Sequence, residues 1–263
     1  NTKPKSVDNL TDMFQEGMFY GRLRSNTFLY EWEKDNASQD SHVITALGGS
    51  LVYKSARFSD IDLTAGLYYS RAFFDESDDP VGQLKAGKDV LSRYDYATGG
   101  DRSMAVLGQA YVSYKGLPKT DIRIGRQLVE TFYTKSNDTK MIPNTFDGVF
   151  ISNRSLPQTS LKVAYLTKQK LRDHTSSHSV LMYDDSNTAS YSTWNGNDDS
   201  AMHKGLTYTA LKAAGKDTDA PLITGDIRNK SIKNLLLSAS FYSVPELLSQ
   251  VMTEANYKIE MNG

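Results

Sequence analysis

Apolar and polar side chains alternate with a period of two through much of this chain, which predicts strands rather than helices. The clearest case runs from Ile61 to Ser70, where Ile61, Leu63, Ala65, Leu67 and Tyr69 alternate with Asp62, Thr64, Gly66, Tyr68 and Ser70. From Met18 to Trp32 one parity reads Phe19, Gly21, Leu23, Ser25, Thr27 and Leu29, and the other carries Tyr20, Arg22, Arg24, Asn26 and Phe28. The second set is charged in its middle and aromatic toward its ends, so Arg22 and Arg24 are expected to face water while the first set meets apolar surroundings. Val43 to Lys54 repeats the pattern, with Val43, Leu47, Leu51 and Tyr53 opposite Ala46, Gly48 and Ser50.

Two hairpins follow, Met104–Lys115 with Asp121–Phe132 and Thr145–Ser152 with Ser160–Leu171. In the last of these strands Lys162 and Lys168 are expected together on the polar side, away from Leu161, Val163 and Tyr165. Asn1 to Glu16 lacks the alternation and reads as a polar leader with one helical turn near Leu10 to Phe14. Gly205 to Ala214 fits either a strand or a short helix capped by Gly215, and Lys216 to Lys233 is ambiguous. Asn234–Val244 and Val251–Met261 return to strand character. The sum is about ten strands, each near the roughly 9 to 11 residues that a tilted strand needs to cross a bilayer. Residues 1–16 and 17–263 are accordingly expected as a leader and a region of strands with long loops.

The connections sort by length. Short turns at 55–60, 116–120 and 154–159 alternate with long polar loops at 34–42, 74–102, 131–144 and 172–202. An up-and-down outer-membrane barrel produces this arrangement, with short turns at one rim and long loops at the other. The fold expected is therefore all-β, an antiparallel up-and-down transmembrane β-barrel.

One loop stands apart. Between Arg123 and Phe150 a strand runs out, a polar loop from Thr131 to Asn144 carries Lys135, Asp138 and Lys140 among aromatics and a Met-Ile-Pro anchor, and a second strand runs back. It is too long for a simple reversal and is the first candidate for a functional site. Asp138-Thr139-Lys140-Met141-Ile142-Pro143-Asn144-Thr145-Phe146-Asp147-Gly148, preceded by Gly125-Arg126-Gln127, resembles the third-loop region of the OprD-type outer-membrane porins. Their motif there runs Asp, any residue, basic, two large aliphatics, Pro, any residue, Thr, Phe, any residue, Gly, after a Gly-x-Gln. The family pattern has Arg where Lys140 stands and Glu at or near Asp147. Both changes keep the charge, and the first gives up the planar fork of a guanidinium. Weaker similarity extends to the opening strand and the following hairpin. The resemblance implies that the chain supplies an incomplete set of strands, the N-terminal part of an 18-stranded barrel.

Composition narrows the alternatives. A formal net charge of -1 argues against a nucleic-acid partner. With no Cys there is no disulfide framework, cysteine-ligated zinc or thiol catalysis. No apolar run is long enough for a membrane-spanning helix, which leaves a strand-built membrane protein open. The chain opens at Asn1 without an apolar signal region, and is expected to be a mature exported form, cleaved from its signal peptide, or an excised piece.

Candidate chemistry is sparse. No Gly-x-Ser-x-Gly elbow or phosphate-binding loop occurs. His42, His174, His178 and His203 fall in loops or at strand edges; His174 and His178 are read as exposed loop residues rather than metal ligands. The acidic run Asp75 to Asp79 is read as a solvated loop rather than a calcium site. No metal, cofactor or enzymatic activity is expected.

The basic residues say more. Arg22, Arg24, Arg123, Lys162 and Lys168 fall on the polar parity of three strands. They are either solvated charges on a half-exposed sheet or, in a barrel, lumen-lining groups. The resemblance implies the second. It makes them part of a basic ladder guiding the carboxylate of a small solute, with Lys135, Asp138, Lys140 and Asp147 at or near a constriction formed by the inward-folded loop. On that basis the expectation is a passive outer-membrane channel for small anionic or zwitterionic solutes, in contact with membrane lipid and lipopolysaccharide, as a monomer or trimer. An outer-membrane barrel enzyme or adhesin with active loops, and a soluble β-rich binding protein, stay open as alternatives.

Overall fold

The computed structural model describes residues 5–34, 41–75, 90–92, 95–96, 99–181 and 208–259. Ten of its strands are eight residues or longer: β1 (Met18–Tyr30), β2 (His42–Lys54), β3 (Ile61–Asp75), β4 (Ser103–Tyr114), β5 (Thr120–Gln127), β6 (Thr145–Asn153), β7 (Thr159–Lys170), β8 (Leu222–Asn229), β9 (Leu235–Val244) and β10 (Leu248–Tyr257). Each pairs antiparallel with the next in the chain, from β1 through to β10. The all-β, up-and-down expectation is borne out, as an unclosed sheet whose two edges are β1 and β10.

The alternation of the sequence becomes two unlike faces. On the outer face of β1 to β3 lie Phe19, Leu23, Leu29, Leu51, Leu67 and Phe73, all exposed, Leu23 at 98%. A face this apolar and this open is not the core of a soluble sandwich. The inner face of β3 buries Asp62, Thr64, Tyr68, Ser70 and Ala72. Each of four cations on the inner face has a small or acidic residue opposite it on at least one neighbouring strand. Arg22 faces Ser50 and Arg24 faces Gly48 across β1 and β2. Arg123 faces Ser113, and Lys162 lies between Ser152 and Asp226. That register gives long basic side chains room on one face while the other stays apolar.

Two apolar clusters fill the inner side toward the long-loop rim. One joins Phe146, Phe150, Leu166, Leu222 and Tyr242 to Val129, Val180 and Leu181 from the loops. The other joins Ile44, Tyr68, Met104 and Val106 to Met141 and Ile142. At the opposite rim the helix Leu10–Gln15, foreseen as a single turn, leans on the β2–β3 turn. The Gly205–Ala214 ambiguity resolves as a helix, Tyr208–Ala213, with Gly215 at φ +65° just beyond it. The ambiguous stretch 216–233 contains β8.

Beside register shifts at Thr45/Ala46 and Gly66/Leu67, three features depart from the expected pattern. The strand expected over Asp121–Phe132 stops at Gln127, because Gln127 turns its side-chain amide back onto the carbonyls of Arg123, Gly125 and Gly148 and Val129 leaves the sheet for the core. A bulge between Asp147 and Gly148 shifts the register against β7. The connection between β9 and β10, at 245–247, is short although it lies at the long-loop rim.

Candidate functional site

The loop from Leu128 to Asn144 leaves the middle of the sheet and lies across its inner face, reaching both flanks. Toward β1, the Asp138 carboxylate accepts from Arg22 Nη1 at 3.0 Å and from Arg24 Nη2 at 3.0 Å. Arg24 also donates to the backbone carbonyls of Asp138, at 2.7 Å, and Lys140. Toward β8, the Phe132 amide donates to both carboxylate oxygens of Asp226 at 3.1 Å. Between the flanks Lys162 Nζ donates to the Glu130 carbonyl at 2.6 Å. The Met-Ile-Pro anchor does what its composition suggests. Met141 and Ile142 are fully buried, each contributing roughly 1.5–3 kcal/mol of apolar burial, while the Pro143 carbonyl accepts from buried Lys170 Nζ at 3.1 Å.

Inside, the loop holds its own shape. The Ser136 amide donates to Glu130 Oε1 at 2.9 Å, the Lys140 amide to the Asn137 carbonyl at 3.0 Å, and the Asn144 amide to the Ser136 carbonyl at 2.6 Å. A segment tied to both flanks and folded on itself keeps its charged groups at fixed positions.

The two arginines differ in role. Arg24, its side chain 12% exposed, is committed to the loop backbone, whereas Arg22, 55% exposed, makes one bond to Asp138 and opens to solvent. Farther along the inner face toward the short-turn rim, Arg123 donates through Nε and Nη2 to Asp121 Oδ2 at 2.9 and 2.7 Å. Its guanidinium lies over the rings of Tyr111 and Phe150, at 5.6 and 5.8 Å, which holds the plane of the cation against the wall. Arg57 and Lys115 pair with buried Asp62, and Lys54 lies within electrostatic range of Arg123 and Lys115.

Of the residues singled out in the sequence, Arg22, Arg24, Arg123 and Lys162 share the inner face, together with Asp138 of the loop. Lys140 Nζ lies 5.4 Å from the Phe28 ring centroid, beside them. Lys135 points to Glu130 at 3.9 Å and is 63% exposed. Asp147 and Lys168 stand elsewhere. They face each other in register on the outer parity, since the bulge at 147–148 reverses the phase of β7 beyond Leu166 and parts Lys168 from Lys162. Asp147 there holds Arg126 through two bonds of 2.7 and 2.9 Å, and Lys168 pairs with Asp219. Sequence reading passed over Lys54, Arg57, Asp62, Lys115, Asp121 and Asp226. Asp121 was findable, being two residues from Arg123 on the same face; the rest required the cross-strand register.

A further expectation is overturned. His174 and His178 are not exposed: they are buried, at 1% and 9%, and bond to each other, Nδ1 to Nε2, at 2.8 Å. His178 Nδ1 donates to the Ser179 carbonyl at 2.8 Å, so its Nε2 accepts and His174 Nδ1 donates. Burial, followed by the charges of Lys170 and Lys168, pulls His178 down to about 4 against the supporting Ser179 carbonyl. The rings pack edge to face with centroids 4.8 Å apart in the turn after β7, a pairing that spacing alone does not show. His42 and His203 and the 75–79 run lie outside the residues whose side chains are described. Among the described residues no three His, Cys, Asp or Glu side chains converge as metal ligands.

An antiparallel up-and-down sheet with an apolar outer face and a charged inner face crossed by a folded loop defines the transmembrane β-barrel class. Residues 101–218, including the 138–148 motif, match the family model for the outer membrane porins of the OprD family, and the resemblance read from the loop is borne out. Solved porins of similar fold include Pseudomonas aeruginosa OccK8 (OprE), at 17% identity and a TM-score of 0.62 over 95% of this chain and 52% of that one. P. aeruginosa OpdK, solved with vanillate, gives 12% identity and a TM-score of 0.63 over 95% and 54%. A BenF-like porin from Pseudomonas fluorescens Pf-5 gives 13% and 0.63 over 95% and 55%. The chain thus spans about half the length of the solved porins it matches. No curated protein sequence matches it.

Proposed function

We propose that this chain forms part of the wall of a passive outer-membrane channel for small solutes that bear a carboxylate, anionic or zwitterionic, with no bond made or broken. The observation that carries the reading is the loop of residues 128–144 fixed across a basic inner face. Arg22, Arg24, Lys54, Arg123 and Lys162 supply a row of positive charge along that face, and the carboxylates of Asp62, Asp121 and Asp138 offset it in part. Such a row lowers the cost for a solute anion to leave bulk water, while the folded loop limits solute size. Within this arrangement Arg22 is the solute-facing cation of the pair on β1, Arg24 fixes the loop, and Lys135, Asp138 and Lys140 border the constriction. Asp147 serves by holding Arg126 near the rim, and Lys168 belongs to the outer, loop-side rim rather than to the path. The outer face of Leu23, Leu67 and Phe73 meets membrane lipid, and lipopolysaccharide in the outer leaflet. OpdK, a structure of the same fold, was solved with vanillate, an aromatic carboxylate, and small aromatic carboxylates are the solute class to try first.

Liposome swelling tests this reading. Vesicles holding the protein are expected to swell faster in benzoate than in a cationic or neutral ring solute of equal size. Equal rates for all three, or none above empty vesicles, would remove the charge-selective channel.

A further inference from the structure

The short helix ahead of the sheet has an apolar side that the channel does not use. Asn9 caps it, its Oδ1 accepting from the Asp12 amide at 2.8 Å. Met13 is buried beneath it, while Leu10 and Phe14, one turn apart and on one side, are 58% and 50% exposed. Residues 5–16 are fastened to the short-turn rim. Ser6–Val7 pairs in parallel with Arg57–Phe58, the Arg57 amide donates to the Lys5 carbonyl at 2.7 Å, and the Ala56 amide to the Met13 carbonyl at 2.9 Å.

The helix is also tied to the outer face. Tyr53 points outward from β2, and its hydroxyl donates to the Phe14 carbonyl at 2.7 Å. Its ring lies 4.9 Å from that of Phe19, which is 68% exposed. Gly17 makes the seat: a Cβ there would stand 2.3 Å from Tyr53 Oη. The Tyr53–Phe19 ring pair, bonded to the backbone of the helix at Phe14, therefore joins the helix to the face whose Leu23 is 98% exposed. Aromatic groups carrying a polar handle at the end of an apolar band belong at the headgroup level of a bilayer.

We infer that the helix Leu10–Gln15 is an interfacial foot, its Leu10–Phe14 side embedded in the phospholipid headgroup zone at the short-turn rim. This rests on the reading of the outer face as lipid-facing, and goes beyond it by adding a segment outside the sheet to the membrane contact. The foot fixes the height of the sheet in the bilayer, and Thr11 and Gln15, exposed on the side opposite Met13, remain in water.

The absence of cysteine from the chain permits single spin labels at Leu10→Cys, Thr11→Cys, Phe14→Cys and Leu23→Cys. The protein is reconstituted in phosphatidylethanolamine–phosphatidylglycerol vesicles, and collision with oxygen is compared with collision with a water-soluble nickel chelate. The expected result is an oxygen-to-nickel ratio at positions 10 and 14 severalfold above that at 11 and below that at 23. Ratios at 10 and 14 equal to that at 11, with 23 in lipid, overturn the foot and leave the lipid-facing sheet standing. Shielding of 10 and 14 from both reagents assigns that side to a protein neighbour and overturns it too. A water-exposed label at 23 overturns both readings.

Discussion

Asp138 holds two guanidinium groups, and its removal separates their roles. Asp138→Asn leaves Arg22 uncompensated beside the path; an exposed pair of this kind is worth about 0.5–1 kcal/mol. The anion-over-cation permeability ratio, read from the reversal potential in a salt gradient, should rise two- to fivefold by that estimate. Arg24→Ala acts differently, because it strands the carbonyls of Asp138 and Lys140 that Arg24 now serves. Leaving buried acceptors without donors costs roughly 1–3 kcal/mol, and the loop loosens. Single-channel records should then show higher conductance and more open-state noise, where Arg22→Ala changes selectivity and leaves the noise alone. At this scale much was legible: the parity of β1 placed Arg22 and Arg24 on the polar side, and the loop composition singled out Asp138. That Arg24 is committed to the backbone was not legible, since its partners lie 114 and 116 residues away.

Among the elements, the return strand β6 depends on its motif glycine. Gly148 has φ +155°, and a Cβ there would stand 2.1 Å from the Tyr165 carbonyl oxygen. Gly148→Ala is expected to lower the temperature at which the folded, fast-migrating band is lost when samples are heated stepwise before electrophoresis. The cost exceeds about 1 kcal/mol, since the backbone must move as well as the side chain. The turn after β7 carries a pH dependence. The folded value of His178, about 4, lies below its ordinary 6.5, so the folded state resists protonation that the unfolded chain accepts. Stability from this group is complete above pH 6.5 and is lost as pH falls toward 4, by on the order of 3 kcal/mol at full protonation. A proton on His178 Nε2 also removes the acceptor for His174 Nδ1, beside Asp173, Lys168 and Lys170. Hydrogen exchange in residues 171–181 should accelerate between pH 6.5 and 4, and His178→Gln should flatten that change. The strands themselves were readable from period-two alternation, yet that pattern does not carry bulges. Hence Lys168 was expected beside Lys162 and lies on the other face.

Across the whole molecule, the sorting of connections into short and long and the alternation of faces were enough to indicate a barrel-type sheet. Both are local properties of sequence. The way the loop of residues 128–144 spans the inner face is not local: it depends on β1 and β8 curling toward the same segment, which brings Arg22 and Asp226 to opposite ends of one loop. Part of the balance of charge on the inner face likewise follows from register, which brings Lys115 and Arg57 to Asp62, whereas Arg123 and Asp121 pair along one strand. The most direct test of the central claim is single-channel conductance, in a planar bilayer, of the natural protein that carries this chain, with benzoate and then benzyl alcohol added to one side. Discrete conductance steps that benzoate interrupts, that benzyl alcohol leaves untouched, and whose interruption weakens in Arg22→Ala are the predicted result. Folded, inserted protein that passes no current, or steps that both solutes affect alike, would contradict it.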